Sequence, residues 1–165
     1  MRYVMRKKLF SIGDDFWVED ESGQRVLKVD GKILRVRQTF VLEDMTGAEV
    51  ATIHKKLLAV HDTMDVERGG QRIARVRKAL FTPFRQHFDV ETADGPHLVV
   101  QGSITDHEYE VRRDGTPVAE ISKRWFNLRD TYAVDVAPDE DVALILALTV
   151  AVDWMGHEEP ERHED

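Results

Sequence analysis

A short segment that opens on an aromatic residue recurs through this chain at a fixed interval. The full copies are Phe16-Trp-Val-Glu-Asp-Glu-Ser-Gly23, Phe40-Val-Leu-Glu-Asp-Met-Thr-Gly47 and Phe88-Asp-Val-Glu-Thr-Ala-Asp-Gly95, with first residues separated by multiples of 24. Weaker copies begin at Met64 (MDVERGG) and Tyr109 (YEVRRDG), and a truncated one at Tyr132 (YAVDV). A period of this length means one supersecondary unit copied along the chain. In each full copy apolar and polar residues alternate, a Gly-containing turn follows, and an apolar segment returns, which is the pattern of a β-hairpin. The returning segments are Val26-Leu-Lys-Val29, Val50-Ala-Thr-Ile53, Ile73-Ala-Arg-Val76, Leu98-Val-Val-Gln101 and Val118-Ala-Glu-Ile121. Leu27, Ala51, Ala74, Val99 and Ala119 share one position in them, small or aliphatic as a crowded inner face requires.

With an initial strand near Tyr3 to Phe10, the repeats predict about twelve strands of ordinary length in a closed antiparallel barrel. A barrel wider than about eight strands is not filled by its own side chains. The segment after Pro138 supplies the filling. Asp139-Glu-Asp141 places negative charge in a first helical turn, and Val142 to Val152 is apolar on every side, ending at Asp153-Trp154-Met155-Gly156. A helix apolar all round must be buried all round. The reading is one domain over 1–156, a barrel with a central helix at about 139–155, followed by a charged flexible tail at 157–165.

Composition narrows the function. The absence of cysteine excludes disulfides, thiolate metal sites and cysteine nucleophiles. The N-terminus is basic but lacks the apolar stretch of a secretory signal, so a cytoplasmic protein is expected. Val142 to Val152 is about half the ~20 residues a membrane-spanning helix needs, so the chain is not expected to be transmembrane. A net charge of -8 disfavours nucleic acid, and an anionic partner must be met by a local basic patch.

Two stretches carry a family resemblance: Lys55-Lys-Leu-Leu-Ala-Val-His-Asp-Thr-Met64, and Trp125-Phe-Asn-Leu-Arg-Asp-Thr-Tyr-Ala-Val-Asp135 with the helix from Pro138 to Asp153. They resemble the LURP-one-related family, whose members are similar in fold to the tubby C-terminal domain and to phospholipid scramblases. The resemblance implies a twelve-stranded barrel around a hydrophobic helix, and a non-enzymatic binding module for lipid or a membrane surface. Tubby proteins bind phosphoinositide head groups through lysine and arginine, but those positions are not matched residue by residue here, so none is carried over. The Pro-rich and cysteine-rich extensions of scramblases are missing, and active scrambling is not expected.

The basic patch is Arg68 to Phe88, which holds Arg68, Arg72, Arg75, Arg77, Lys78 and Arg85 and no acid; removing its +6 from -8 leaves -14 elsewhere. Arg75 and Arg77 share a strand face, the outer one if Ala74 and Val76 point inward. Phe81 and Phe84 lie between cations in the following connection, a combination suited to an anionic membrane surface. Lys123 and Arg124 beside Trp125 form a second basic and aromatic group. The competing reading pairs these arginines with acids across the strands, and the i, i+2 spacing recurs at Arg35 and Arg37. The ligand-binding candidates are therefore Arg72, Arg75, Arg77, Lys78, Arg85, Lys123 and Arg124, with Phe81, Phe84 and Trp125 as membrane contacts.

General acid or base candidates are His61-Asp62 with His54, and Asp130. The repeat favours a turn role for Asp14, Asp62, Asp106 and Asp130, which precede strands and suit hydrogen bonds to turn backbone. No residue is assigned as catalytic. His157 and His163 do not match tetrahedral metal spacing, so no metal or other cofactor is expected. GxxxxGK[ST], GxGxxG, GxSxG and HExxH do not occur. Two rival readings remain: a scaffold for a protein partner, and a small-molecule carrier or enzyme, which requires a cavity inside the barrel.

Overall fold

The computed structural model describes residues 1–6, 15–34, 37–56, 63–81, 85–123 and 131–157, with side chains at all of these except 32–34, 37, 38, 80, 81 and 157. Its strands are β1 (Arg2–Arg6), β2 (Phe16–Glu19), β3 (Arg25–Leu34), β4 (Arg37–Asp44), β5 (Glu49–Lys55) and β6 (Thr63–Arg68). They continue with β7 (Gln71–Phe81), β8 (Gln86–Thr92), β9 (Leu98–Ser103), β10 (Glu108–Arg113), β11 (Thr116–Ser122) and β12 (Thr131–Val136), before the helix α1 (Val142–His157). Each strand pairs antiparallel with its neighbours in sequence, and β12 closes on β1. The twelve-stranded barrel around a C-terminal helix read from the repeat is the fold observed, and closure leaves no free edge among the described strands.

The repeat maps onto the inner face. Its first residue is buried in every copy (Phe16, Phe40, Met64, Phe88, Tyr109, Tyr132), and so is the residue two further on (Val18, Leu42, Val66, Val90, Val111, Val134). Among the returning strands, Leu27, Ala51, Ala74 and Ala119 are buried as expected. Val99 is the exception: Leu98 and Val100 are buried, and Val99 lies between them on the other face. The cause is pairing register. Val18 faces Leu27 and Leu42 faces Ala51, each with a bulge one residue later, whereas Val90 faces Leu98 without one, so the returning strand shifts by one residue.

Two tight turns repeat in atomic detail 24 residues apart. Asp20 Oδ1 accepts from Ser22 N (2.9 Å), Ser22 Oγ (2.6 Å) and Gln24 N (3.0 Å). Asp44 Oδ1 accepts from Thr46 N (2.9 Å), Thr46 Oγ1 (2.6 Å) and Ala48 N (3.1 Å). These bonds, the hydroxyl's foremost, hold both carboxyls below the usual aspartate range. Gly23 and Gly47 complete the turns at φ +82° and +87°. Gly102 serves a different purpose. At φ +138°, a Cβ there would stand 2.7 Å from the Glu108 carbonyl and the Tyr109 Cα across the β9–β10 pair. Gly102→Ala is expected to destabilise the barrel by more than about 1 kcal/mol in urea unfolding, because the strain comes from backbone that cannot swing away.

The helix fills the lumen: Ile145, Leu146, Ala147, Leu148, Val150, Ala151, Val152 and Met155 are each at most 2 % exposed. Its start differs from expectation. The acids at 139–141 precede the first turn, since Asp139 sits at φ 67° and α1 begins at Val142. Asp141 caps the helix, accepting from Leu144 N at 3.1 Å. Two arginines fix this end to the barrel rim. Arg68 donates to both oxygens of Asp141 (2.9 and 3.0 Å), and Arg113 to both of Glu140 (2.6 and 2.9 Å).

Arg68 holds the Asp141 carboxyl below its ordinary value of 3.8. A carboxyl lowered by folding contributes stability above its unfolded pKa and loses it as pH falls through the folded value. Both side chains are more than 40 % exposed, so Arg68→Ala is expected to cost no more than about 1 kcal/mol at neutral pH. Urea melts across a pH series should show the gap between wild type and variant closing below about pH 4, as Asp141 titrates.

Candidate functional site

The strand alternation of β7 decides where its cations point. Ala74 and Val76 are buried against the helix side, which sends Arg75 and Arg77 to the outer wall. Arg75 is held there by a bidentate pair with Asp65 on β6 (2.8 and 3.2 Å), and Arg77 lies 3.8 Å from Glu91 on β8. Lys78 follows the inward parity, and its ammonium donates to the Met155 carbonyl at 3.1 Å, next to the negative end of the helix dipole. Arg72 is exposed near the β6–β7 turn, whereas Arg85 and Lys123 are exposed at the opposite end of the barrel. The basic stretch therefore runs the length of the wall instead of forming one cluster. Phe84, Arg124 and Trp125, and the side chain of Phe81, lie outside the described residues.

Two hollows lie on this wall. One of about 240 Å³ is bordered by Arg75, Arg77, Asp89, Glu91 and His97, and another of about 280 Å³ by Arg85, His87, Gln101 and Glu110. Both open outward, away from the helix.

Among the described residues, a polar cluster on the helix interrupts the apolar packing inside the barrel. Asp153, 0 % exposed, accepts from the hydroxyl of Tyr109 on β10 (3.1 Å) and, with its other oxygen, from that of Tyr132 on β12. His107, in the β9–β10 turn at φ 51°, places Nδ1 at 3.5 Å from Asp153 Oδ1 and stacks on the Tyr132 ring at 4.5 Å. Thr149, one turn before Asp153 on the same helix face, donates to the Ile145 carbonyl at 2.9 Å. Burial first, and then the negative charge of Asp153, push both tyrosine hydroxyls well above their ordinary value, so they remain protonated donors. The central helix thus carries a narrow, buried polar track that its apolar composition conceals. A signal for it exists in the sequence: the aromatic position is Phe in all three full copies and becomes Tyr in the last two units, opposite an aspartate that closes an apolar run.

Of the acid and base candidates, His54 lies within the described residues and His61, Asp62 and Asp130 do not. His54 joins three strands on the outer wall, with Nδ1 3.4 Å from Thr39 Oγ1 and Nε2 3.0 Å from Glu67 Oε2. Hydroxyl, imidazole and carboxylate are in the order a nucleophile would need, with Thr39 only 4 % exposed. Asp106 accepts from the Ser103 hydroxyl at 2.7 Å, a side-chain contact within its turn where a backbone contact was expected. Asp14, His163 and the side chain of His157 lie outside the described residues.

The comparisons agree with this architecture. A curated relative, described as an uncharacterised protein of Bacillus subtilis (strain 168), is 23% identical over 151 residues, which is 92% of this chain and 91% of the relative. The X-ray structure of a protein from Arabidopsis thaliana superposes with a TM-score of 0.69 at 21% identity, covering 93% of this chain and 90% of that one, which shows a shared fold. The family model described as LURP-one-related matches residues 1–153, and the chain belongs to the LURP-one-related family.

Proposed function

We propose that this protein is a non-enzymatic binding module that recognises an anionic phospholipid surface through its basic side chains. The observation that carries the reading is the exposure of Arg77, Arg85 and Lys123 on a chain whose net charge is -8. Cations kept at the surface of an acidic protein suit an anionic partner, and each is worth about 1 kcal/mol beside an anionic leaflet. In the sequence Phe84 and Trp125 lie within two residues of Arg85 and Lys123, and Phe81 lies between Arg77 and Arg85, a pattern suited to apolar contact with a leaflet. Arg72, Arg75 and Arg124 add to the positive field, while Lys78 holds the helix end. Family membership supports a binding module, and a lumen packed by α1 disfavours a carrier or enzyme working from inside the barrel.

Binding is peripheral. No helix among the described residues is long and apolar enough to cross a membrane. The wall itself faces outward with Arg75, Asp89, Glu91, Glu110 and Glu120, the reverse of the apolar outer band of a membrane barrel. Co-sedimentation of the wild type with neutral and anionic vesicles at two salt concentrations tests the reading. Binding is expected to anionic vesicles alone, to weaken with salt, and to fall at least about tenfold in Arg77→Glu/Arg85→Glu/Lys123→Glu. Wild-type protein that stays in solution with both vesicle types would sink the lipid reading and favour a protein partner.

A further inference from the structure

The charges of the barrel are divided unevenly between its ends. One rim is made of tight connections, and five of its six carry an acid: Asp20, Asp44, Asp94, Asp114 and Asp139, with the β6–β7 turn the exception; Arg25, Arg68 and Arg72 are exposed at the same rim. At the other rim Arg6 on β1, Lys56 after β5, Arg85 before β8 and Lys123 after β11 are all exposed. Because the order around the ring is sequential, these four cations are spread around the whole circumference, never more than four strands apart. Among the described acids of this rim, Asp15 pairs with Lys28 at 3.0 Å, whereas Asp106 and Glu108 accept the Ser103 and Ser122 hydroxyls (2.7 and 3.0 Å) and keep their charge; Arg6 itself pairs with Glu19 at 3.0 Å.

Resting on the reading above, we infer that the barrel docks end-on, with the Arg6, Lys56, Arg85 and Lys123 rim against the anionic bilayer and the acidic rim pointing away. Side-on contact through Arg75 and Arg77 would set Asp65, Asp89 and Glu91 against the lipid phosphates along with them. It would also bring the acidic rim within reach of the surface. End-on contact removes that rim by the length of a strand, about 20 Å for six residues. That distance is more than twice the ~8 Å screening length at physiological salt, so the repulsion is lost while the four cations act together. A ring of cations also resists tilting, since tipping toward one side lifts others off the surface.

Two variants of equal net charge separate the geometries: Lys56→Gln/Arg85→Gln/Lys123→Gln at the rim, and Arg72→Gln/Arg75→Gln/Arg77→Gln on the wall. On vesicles containing an anionic lipid, the rim variant is expected to lose about a hundredfold in partitioning and the wall variant less than about threefold. A second measurement does not depend on either variant folding normally. The chain has no cysteine, so one introduced residue can carry an environment-sensitive dye. Thr105→Cys places it at the basic rim and Met45→Cys, at a side chain 54 % exposed, at the acidic rim. Vesicles should blue-shift the dye at 105 and leave that at 45 unchanged. Equal losses in the two triple variants, or a shift at 45, would overturn end-on docking while lipid binding stands. Absence of wild-type binding would overturn both.

Discussion

Ala147→Asp is expected to leave no soluble, cooperatively unfolding protein. Ala147 is 0 % exposed in the middle of α1, with Leu146 and Leu148 beside it equally buried. An ionised carboxylate there would be removed from water with no partner, at a cost of several kcal/mol even after the structure relaxes. Protonation avoids the charge but leaves a hydroxyl and a carbonyl without hydrogen bonds, a further few kcal/mol, and the added atoms overpack a filled lumen. Against a total stability of about 5–15 kcal/mol, these terms together are decisive. Solubility on expression and a far-ultraviolet circular dichroism melt measure the outcome, with Ala147→Ser as the mild counterpart. A soluble Ala147→Asp protein with a single sharp transition would refute a helix buried on every side.

The architecture was legible because its causes are periodic. Phe16, Phe40 and Phe88 recur at one interval, and the run Val142 to Val152 offers no polar face, so strand count, closure and a central helix followed from spacing and apolarity alone. What escaped depends on register and on contacts between distant segments. Val99 was placed one residue out because the bulge that lengthens the earlier hairpins leaves no mark in composition. The partners of Arg75 and Arg77 were foreseeable only as a class. Asp65 and Glu91 become specific once β6, β7 and β8 are in register. Lys78 was grouped with the ligand-binding cations, and its parity on the strand turns it toward the end of α1. The uneven division of charge between the rims was equally hidden, since hairpins alternate the two ends along the sequence and interleave acidic turns with basic ones.

The buried cluster leads to the second large effect. An apolar helix in an apolar barrel has little to choose its rotation or depth, because sliding exchanges one aliphatic contact for another. Asp153 is bound to β10 through Tyr109 and to β12 through Tyr132, and it beds against His107, which ties the helix to two strands and a turn at once. Asp153→Ala is expected to cost about 3–5 kcal/mol, because it strips the acceptor from two buried hydroxyls and leaves a small cavity. Tyr132→Phe alone should cost about 2–3 kcal/mol, since the buried carboxylate loses a donor. The costs are not expected to add. In Tyr109→Phe/Tyr132→Phe/Asp153→Leu no donor or acceptor of the trio remains unpaired, and removing all members of a buried polar group together is often close to neutral. That variant should recover most of the stability lost in Asp153→Ala when both are unfolded in urea, while its amide spectrum broadens as the helix samples more than one setting. If the triple variant instead shows the sum of the single losses, Asp153 acts by packing alone, and the helix is set in place by its ends, through Arg68, Arg113 and Lys78.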